Sequence, residues 1–517
     1  MNNASKTLLL ALSLSLAACG GPSDPKSPAD TAEATPTESA IVAVGEPATP
    51  TLPSVPSTPV AAPAGLAAVI TAGSPDAQLT QLGTFVDAVM PGMAAFLTTQ
   101  TLMQQVEAIL GVVGLRGLDL NQPLHIVMLD DQQALLVATV SSEAEITESL
   151  QGTQTMVMLH DGYAAIGKFD GLQKAGAYAL SNLVRAEVPE LPTVELHLGK
   201  IMAGPYAETI REQLSSQMAD QGAQMGAEVM LTIMSNIEVL SMNIDANQHA
   251  ATIRLIGKGL SGEVKDFSAL QRASGFAMSK RLGTGPWAMS MAGRLDLTPF
   301  IPLLVKVGEA SAEPLLTQIA AQLGSLNGEM GLALNVSPKR ELVAGMELAD
   351  GKGLAQMVDM LLGMIGKQPI DMAGMKGKLK LAAIKTRAGS LHEVKLTPTT
   401  DKLKADYGKK GVSAFFGVVA DTLLVTFGPS AKTHARTLTA RSGALPGKGA
   451  QLSKAIAQAT SMNESFMMAF DILGLQALRP SQDTEPVVVG IGFTADSFTG
   501  RLVLPSSIVK EAAQGAM

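Results

Sequence analysis

Leu124-His125-Ile126-Val127-Met128-Leu129-Asp130-Asp131-Gln132-Gln133-Ala134-Leu135-Leu136-Val137-Ala138-Thr139-Val140-Ser141-Ser142-Glu143-Ala144-Glu145 reads as two strands, a turn and a capped helix. Two apolar, β-branched runs flank a pair of aspartates, whose side chains bond their own backbone in turns. Ser142 with Glu145 three residues on has the form of a capping box, which satisfies the orphan amides of a helix start. The layout recurs four times. Thr155–Leu159 and Tyr163–Phe169 flank Asp161-Gly162, a favoured two-residue hairpin turn, and a helix is expected from Asp170 with Gln173 in the matching place. Met330–Val336 and Glu341–Leu348 flank Ser337-Pro338. Ser413–Val419 and Leu423–Phe427 flank Asp421, with Ser430 opening a helix. Val487–Phe493 and Phe498–Leu504 flank Thr494–Ser497.

Five such units predict an α+β fold of antiparallel sheets built from strand-turn-strand-helix repeats. Two long amphipathic helices are expected beside them. Ile210, Leu214, Met218, Met225, Val229 and Ile233 form one apolar face over residues 206–237. Leu354 to Ile365 is apolar almost all round, with only Gln356, Asp359, Gly363 and Lys367 as a polar stripe, which predicts a mostly buried helix.

The amino-terminal region has a separate logic. Lys6 precedes an apolar run from Leu8 to Ala18, and the run ends Leu16-Ala17-Ala18-Cys19-Gly20. A short positive region followed by an apolar one has the form of a secretory signal. The Leu-Ala-Ala-Cys segment resembles the lipobox of bacterial lipoproteins. That resemblance implies cleavage before Cys19 and acylation of its sulfur and new amino group. Gly20 rather than Asp follows the cysteine, which by resemblance to Gram-negative sorting permits outer-membrane delivery. Cys19 is the only cysteine in the chain, so the body has no thiol to mispair in an oxidising compartment. From Gly20 to Gly65 ten prolines fall among Ala, Thr, Ser and Glu, as in a semi-extended, disordered linker. The organisation read from the chain is therefore a signal peptide at 1–18, a lipidated Cys19 and linker at 19–65, and α+β domains at 66–265 and 266–517. The second boundary rests on the glycines between Gly259 and Gly285. In layout the body resembles large uncharacterised secreted lipoproteins, a resemblance that transfers no functional residue.

Composition limits the chemistry. The net charge of −8 and pI near 5.4 argue against nucleic acid as a partner. There is no G-x-S-x-G, H-E-x-x-H or Walker loop, and none of the six histidines has a second within five positions. No catalytic residue, metal ligand or cofactor site is assigned. Gly257-Lys258-Gly259-Leu260-Ser261-Gly262 has the dinucleotide spacing without the second parallel strand that fold needs, and is read as a turn. Ser507-Ile508-Val509-Lys510 and Ser461-Met462-Asn463 mimic penicillin-recognising motifs in the wrong order. Asp130-Asp131 is a turn rather than a cation site. The 27 methionines outnumber the aromatics, and Met218, Met225, Met230, Met234, Met357, Met360 and Met364 fall on the two long helices. They either fill cores or line a cavity for a lipid or another apolar ligand. Lys376, Lys378 and Lys380 alternate on a strand. They either protect its edge or form a basic patch for phosphate headgroups or an acidic polymer.

The function expected is that of a non-enzymatic, membrane-tethered binding or scaffold protein of the cell envelope. An adhesion or assembly role through protein contacts is the alternative. Changing Cys19 to Ala is expected to release the protein from membranes. Fractionation, with mass spectrometry of the native amino terminus, checks it; an unmodified thiol or an intact leader overturns the anchor.

Overall fold

Backbone at positive φ marks the hairpins. Asp161 and Gly162 stand at φ 48° and 81°, and Ala420 and Asp421 at 48° and 55°, the geometry of a turn that matches the twist of the paired strands. The computed structural model describes residues 52–517 except 131–132, 205–206, 209, 211–233, 263–274, 284, 286, 297–326, 337–338, 366–369, 373, 441–442, 446–448, 477–483, 495 and 516–517. The chain forms two units. One comprises residues up to Thr80 with Phe96–Val194; the other comprises Gln81–Ala95 with Glu195–Met517. The division after Val194 falls within strand β6 (Thr193–Leu196), well before the glycine cluster, and strand β8 (Ala250–Leu260) runs through the first of those glycines.

The first unit pairs β1 (Leu66–Ala72), β2 (Leu124–Leu129), β3 (Ala134–Thr139), β5 (Tyr163–Lys168) and β4 (Thr155–His160), in that order and all antiparallel. Apolar side chains leave both faces of β2 and β3. Val127, Leu129, Leu135 and Val137 pack with Leu172, Ala175, Ala179 and Leu180 of the helical run 169–183. Leu124, Ile126 and Leu136 pack with Val106 and Leu110 of helix Thr99–Leu110, and with Ile146. Ser142 Oγ accepts from the Glu145 amide at 3.4 Å, as the capping pattern predicts. The helix after β5 instead starts at Phe169 with no side-chain cap, and passes through π-helical turns at Leu172–Gly176 and Ala179–Leu183.

The end of the Pro-rich segment is laid on this unit. Leu52 and Val55 pack against the first core. Val60 N–H donates to Asn182 Oδ1 at 2.8 Å, and Asn182 Nδ2 donates back to Val60 O at 2.9 Å. Arg185 also donates to the Ser57 carbonyl. Residues 52–65 thus have packing and hydrogen bonds of their own. The expected signal peptide at 1–18, Cys19 and residues up to 51 lie outside the described residues.

The second unit is a run of thirteen antiparallel strands. Its order is β7 (Ile237–Ala246), β8, β19 (Ser497–Pro505), β18 (Val487–Phe493), β17 (Phe466–Phe470), β9 (Met289–Asp296), β10 (Asn327–Asn335), β11 (Glu341–Glu347), β16 (Thr422–Gly428), β15 (Val412–Val419), β14 (Gly389–Pro398), β13 (Met375–Thr386) and β12 (Ile370–Met372). Helices Ala277–Leu282 and Ala431–Thr439 cover one stretch of it, and Ala450–Ser461 another.

This overturns the α+β expectation with long amphipathic helices. The described chain is mainly antiparallel sheet with short helices; the helices Pro75–Val89 and Gly351–Ile365 run fifteen residues each. The helix expected over 206–237 falls largely outside the described residues, and Ile237 itself begins β7. Helix Gly351–Ile365 is not mostly buried. Leu354 and Leu362 are buried, whereas Met360 is 60% exposed. A helix laid on one sheet face buries one stripe, whatever the apolarity of the opposite one.

His125 on β2 is 4% exposed, and its Nδ1 lies 3.0 Å from Thr71 Oγ1 on β1. Burial lowers its pKa from 6.5 to about 4. The unfolded chain therefore binds this proton first. The stability from keeping the ring neutral is present above pH 6.5 and lost as pH falls toward 4, a change of about 3 kcal/mol. Urea unfolding of His125→Gln at pH 7 and pH 4.5 is expected to show a smaller acid destabilisation than the parent.

Candidate functional site

Strand β13 carries two more residues than β14 between the pairs Lys380–Glu393 and Ile384–Leu391. Leu381, Ala382 and Ala383 thus face the single residue His392. Ala382 takes φ 45°, which a residue with a Cβ rarely adopts. Such bulges re-aim backbone groups beside functional sites. Here the bulge turns the Ala382 amide onto His392, and Ala382 N–H donates to Nδ1 at 3.3 Å. An amide only donates, so Nδ1 holds the lone pair and the neutral ring carries its proton on Nε2. Nε2 donates to Asp359 Oδ1 of helix Gly351–Ile365 at 3.1 Å. The ring also lies 5.8 Å from Phe416, tilted by 40°.

This pair floors a cavity of about 310 Å³ between the helix and the bulged hairpin. Ala355, Val358 and Val418 form its apolar wall; Lys385, Ser390 and Asp359 supply an ammonium, a hydroxyl and a carboxylate. Thr386 Oγ also lines it, but donates to Gly389 O at 2.8 Å and accepts from Ala388 N–H at 3.1 Å, which closes the hairpin loop. Both imidazole nitrogens are engaged in hydrogen bonds, which fix the ring in the cavity wall. The cavity thus joins an apolar wall to a small set of polar groups around the fixed imidazole.

The other polar constellation is closed. Arg501 on β19 grips Glu464 through Nε–Oε1 at 2.6 Å and Nη2–Oε2 at 2.9 Å, with both side chains about 5% exposed. Gly490, opposite Arg501 in the ladder, makes room: a Cβ there would stand 2.2 Å from the carboxylate. The pair pins the turn after helix Ala450–Ser461 to the sheet.

The motifs singled out in the sequence do not converge. Gly257 lies inside β8, opposite Leu240 and Phe498 on its two neighbours, so the glycine spacing belongs to an antiparallel ladder and no phosphate loop forms. Ser507 lies on the terminal helix Ser506–Gly515, and Ser461 Oγ donates to Gln458 O. Among the described residues no three His, Cys, Asp or Glu gather as a metal site, and no helix is long and apolar enough to cross a membrane. Of the methionines proposed as cavity lining, Met218, Met225 and Met230 lie outside the described residues, and Met360 faces outward. His125 and His392 are buried strand residues, and His197 begins a short helix; His160 pairs with Asp161 in its turn, and His434 packs edge-on to Trp287. Burial lowers the pKa of His197 and of His434. The Asp359–His392 pair was not legible as a pair, although Asp359 stood in the helix's polar stripe.

The chain matches no known family model, curated protein or solved structure.

Removing one member of a buried ion pair strands the other, a loss of about 3–5 kcal/mol. Glu464→Gln is expected to destabilise the second unit on that scale in urea unfolding. Pairing Glu464→Leu with Arg501→Met is expected to recover most of it.

Proposed function

We propose that the chain is a membrane-tethered lipoprotein of the cell envelope that binds a small amphiphile without chemically changing it. The lipobox-like Leu16-Ala17-Ala18-Cys19 and the following Pro-rich segment support the tether. The observation that carries the binding role is the cavity beside His392: an apolar wall meets three polar groups, and the one imidazole is held by two hydrogen bonds. At about 310 Å³ it stands at the lower end of small-molecule sites. It suits one aliphatic chain or one head group, and a whole diacyl lipid is too large. Ala355, Val358 and Val418 would take the tail. Lys385 and Asp359 carry opposite charges, which favours a zwitterionic or hydroxylated head over a simple anion.

Calorimetric titration with octylphosphocholine below its micellar concentration tests the reading. Saturable one-to-one binding is expected in the parent, falling at least tenfold in Ala355→Phe, which fills the wall. Binding of equal strength in both proteins, or none in the parent, overturns the assignment of this cavity.

A further inference from the structure

The basic residues are strongly localised. Between Gly374 and Lys410 stand ten of the chain's 38 Lys and Arg, against Glu393, Asp401 and Asp406, in a protein of net charge −8. Lys376, Lys378 and Lys380 are exposed on one face of β13, opposite Thr397, Lys395 and Glu393 of β14. Edge protection explains part of this, because β12 covers only Met375–Gly377 and leaves the rest of that side of β13 without a described partner. It does not explain Lys395. Strand β14 is paired on both sides, with Lys395 opposite Lys378 and Ser413, so it has no edge to protect. Like charges directly opposed across a sheet cost stability. Within the β13–β14 pair the acid of this face is Glu393, whose Oε1 accepts from Ser413 Oγ at 2.8 Å; Asp371 of β12 stands opposite Lys376 alone.

We infer that this lysine face of β13–β14 docks on an anionic lipid surface. Charge complementarity selects an anionic partner, and three features select a bilayer. Nine of the ten basic residues are lysines, point charges that answer a diffuse field; shaped bidentate phosphate sites favour arginine. Tyr407 is the single aromatic residue between Gly374 and Lys410, so stacking platforms for single-stranded nucleic acid are lacking. Successive lysines stand about 7 Å apart along β13, and Lys378 about 5 Å from Lys395 across the ladder, an array on one sheet face that can meet a plane of head groups. The inference deepens the envelope reading, giving the body a second, reversible contact with the membrane to which Cys19 would tether it.

The test uses the full chain carrying Cys19→Ala, so that the tether's success or failure does not enter. Co-sedimentation is compared between phosphatidylcholine vesicles and vesicles with one third phosphatidylglycerol, at low and high salt. Binding to the anionic vesicles alone, weakened by salt, is expected. Each lysine contributes about fivefold in partitioning, so Lys376→Gln, Lys378→Gln and Lys395→Gln together lower it by roughly a hundredfold. Unchanged thermal unfolding of that variant establishes that the fold survives. Binding contributed by the apolar leader would appear equally on neutral vesicles and persist in the variant. Equal binding to both vesicles, binding indifferent to the three substitutions, or retention on polyglutamate without vesicle binding overturns the inference.

Discussion

The unbroken antiparallel ladder of the second unit is the constraint on which the other features rest. With Cys19 as its only cysteine and eighteen aromatic residues in 517, the chain cannot close an internal disulfide and has few bulky rings to hold distant segments. Backbone pairing does that work, joining β8 to β19 and β9 to β17 across more than a hundred residues of sequence. Close approach then substitutes for bulk. Gly331 and Gly345 let Met278 of helix Ala277–Leu282 sit directly on the sheet, where a Cβ at Gly345 would stand 2.6 Å from its sulfur. Small side chains on the sheet let a short helix bury Met278 and Leu282 almost completely.

The cavity beside His392 follows from a local departure from that ladder. Two extra residues on one strand redirect a single amide, and that amide sets which ring nitrogen faces the helix. The strain at Ala382 is the local cost of the arrangement, and the imidazole held between amide and carboxylate is what it produces. A ring fixed by two hydrogen bonds holds its place in the cavity wall.

What was legible in the chain was local. Asp161-Gly162 announced its turn because both positions need positive φ, and Ser142 announced its helix because an orphan amide needs an acceptor. The apolar runs Ser413–Val419 and Leu423–Phe427 on either side of Asp421 marked both strands. Non-local features stayed hidden. Asp359 and His392 lie on different elements brought together by sheet order, and Arg501 and Glu464 likewise. The outward face of helix Gly351–Ile365 was misread because Met360 and Leu362 are alike in hydropathy, and only the sheet beneath decides which is covered. Residues 52–65 were misread in the opposite sense: prolines suppress regular structure without preventing a segment from packing.

That packed segment has a mechanical consequence. Asn182 holds both backbone groups of Val60, as a neighbouring strand would, and Arg185 holds Ser57 just ahead of it. Tension applied from the amino-terminal side therefore meets this clasp before it reaches β1. The three hydrogen bonds are loaded in sequence, and the core strand feels the pull only after they have parted. Residues 52–65 would thus act as a strain relief for the body under such a pull.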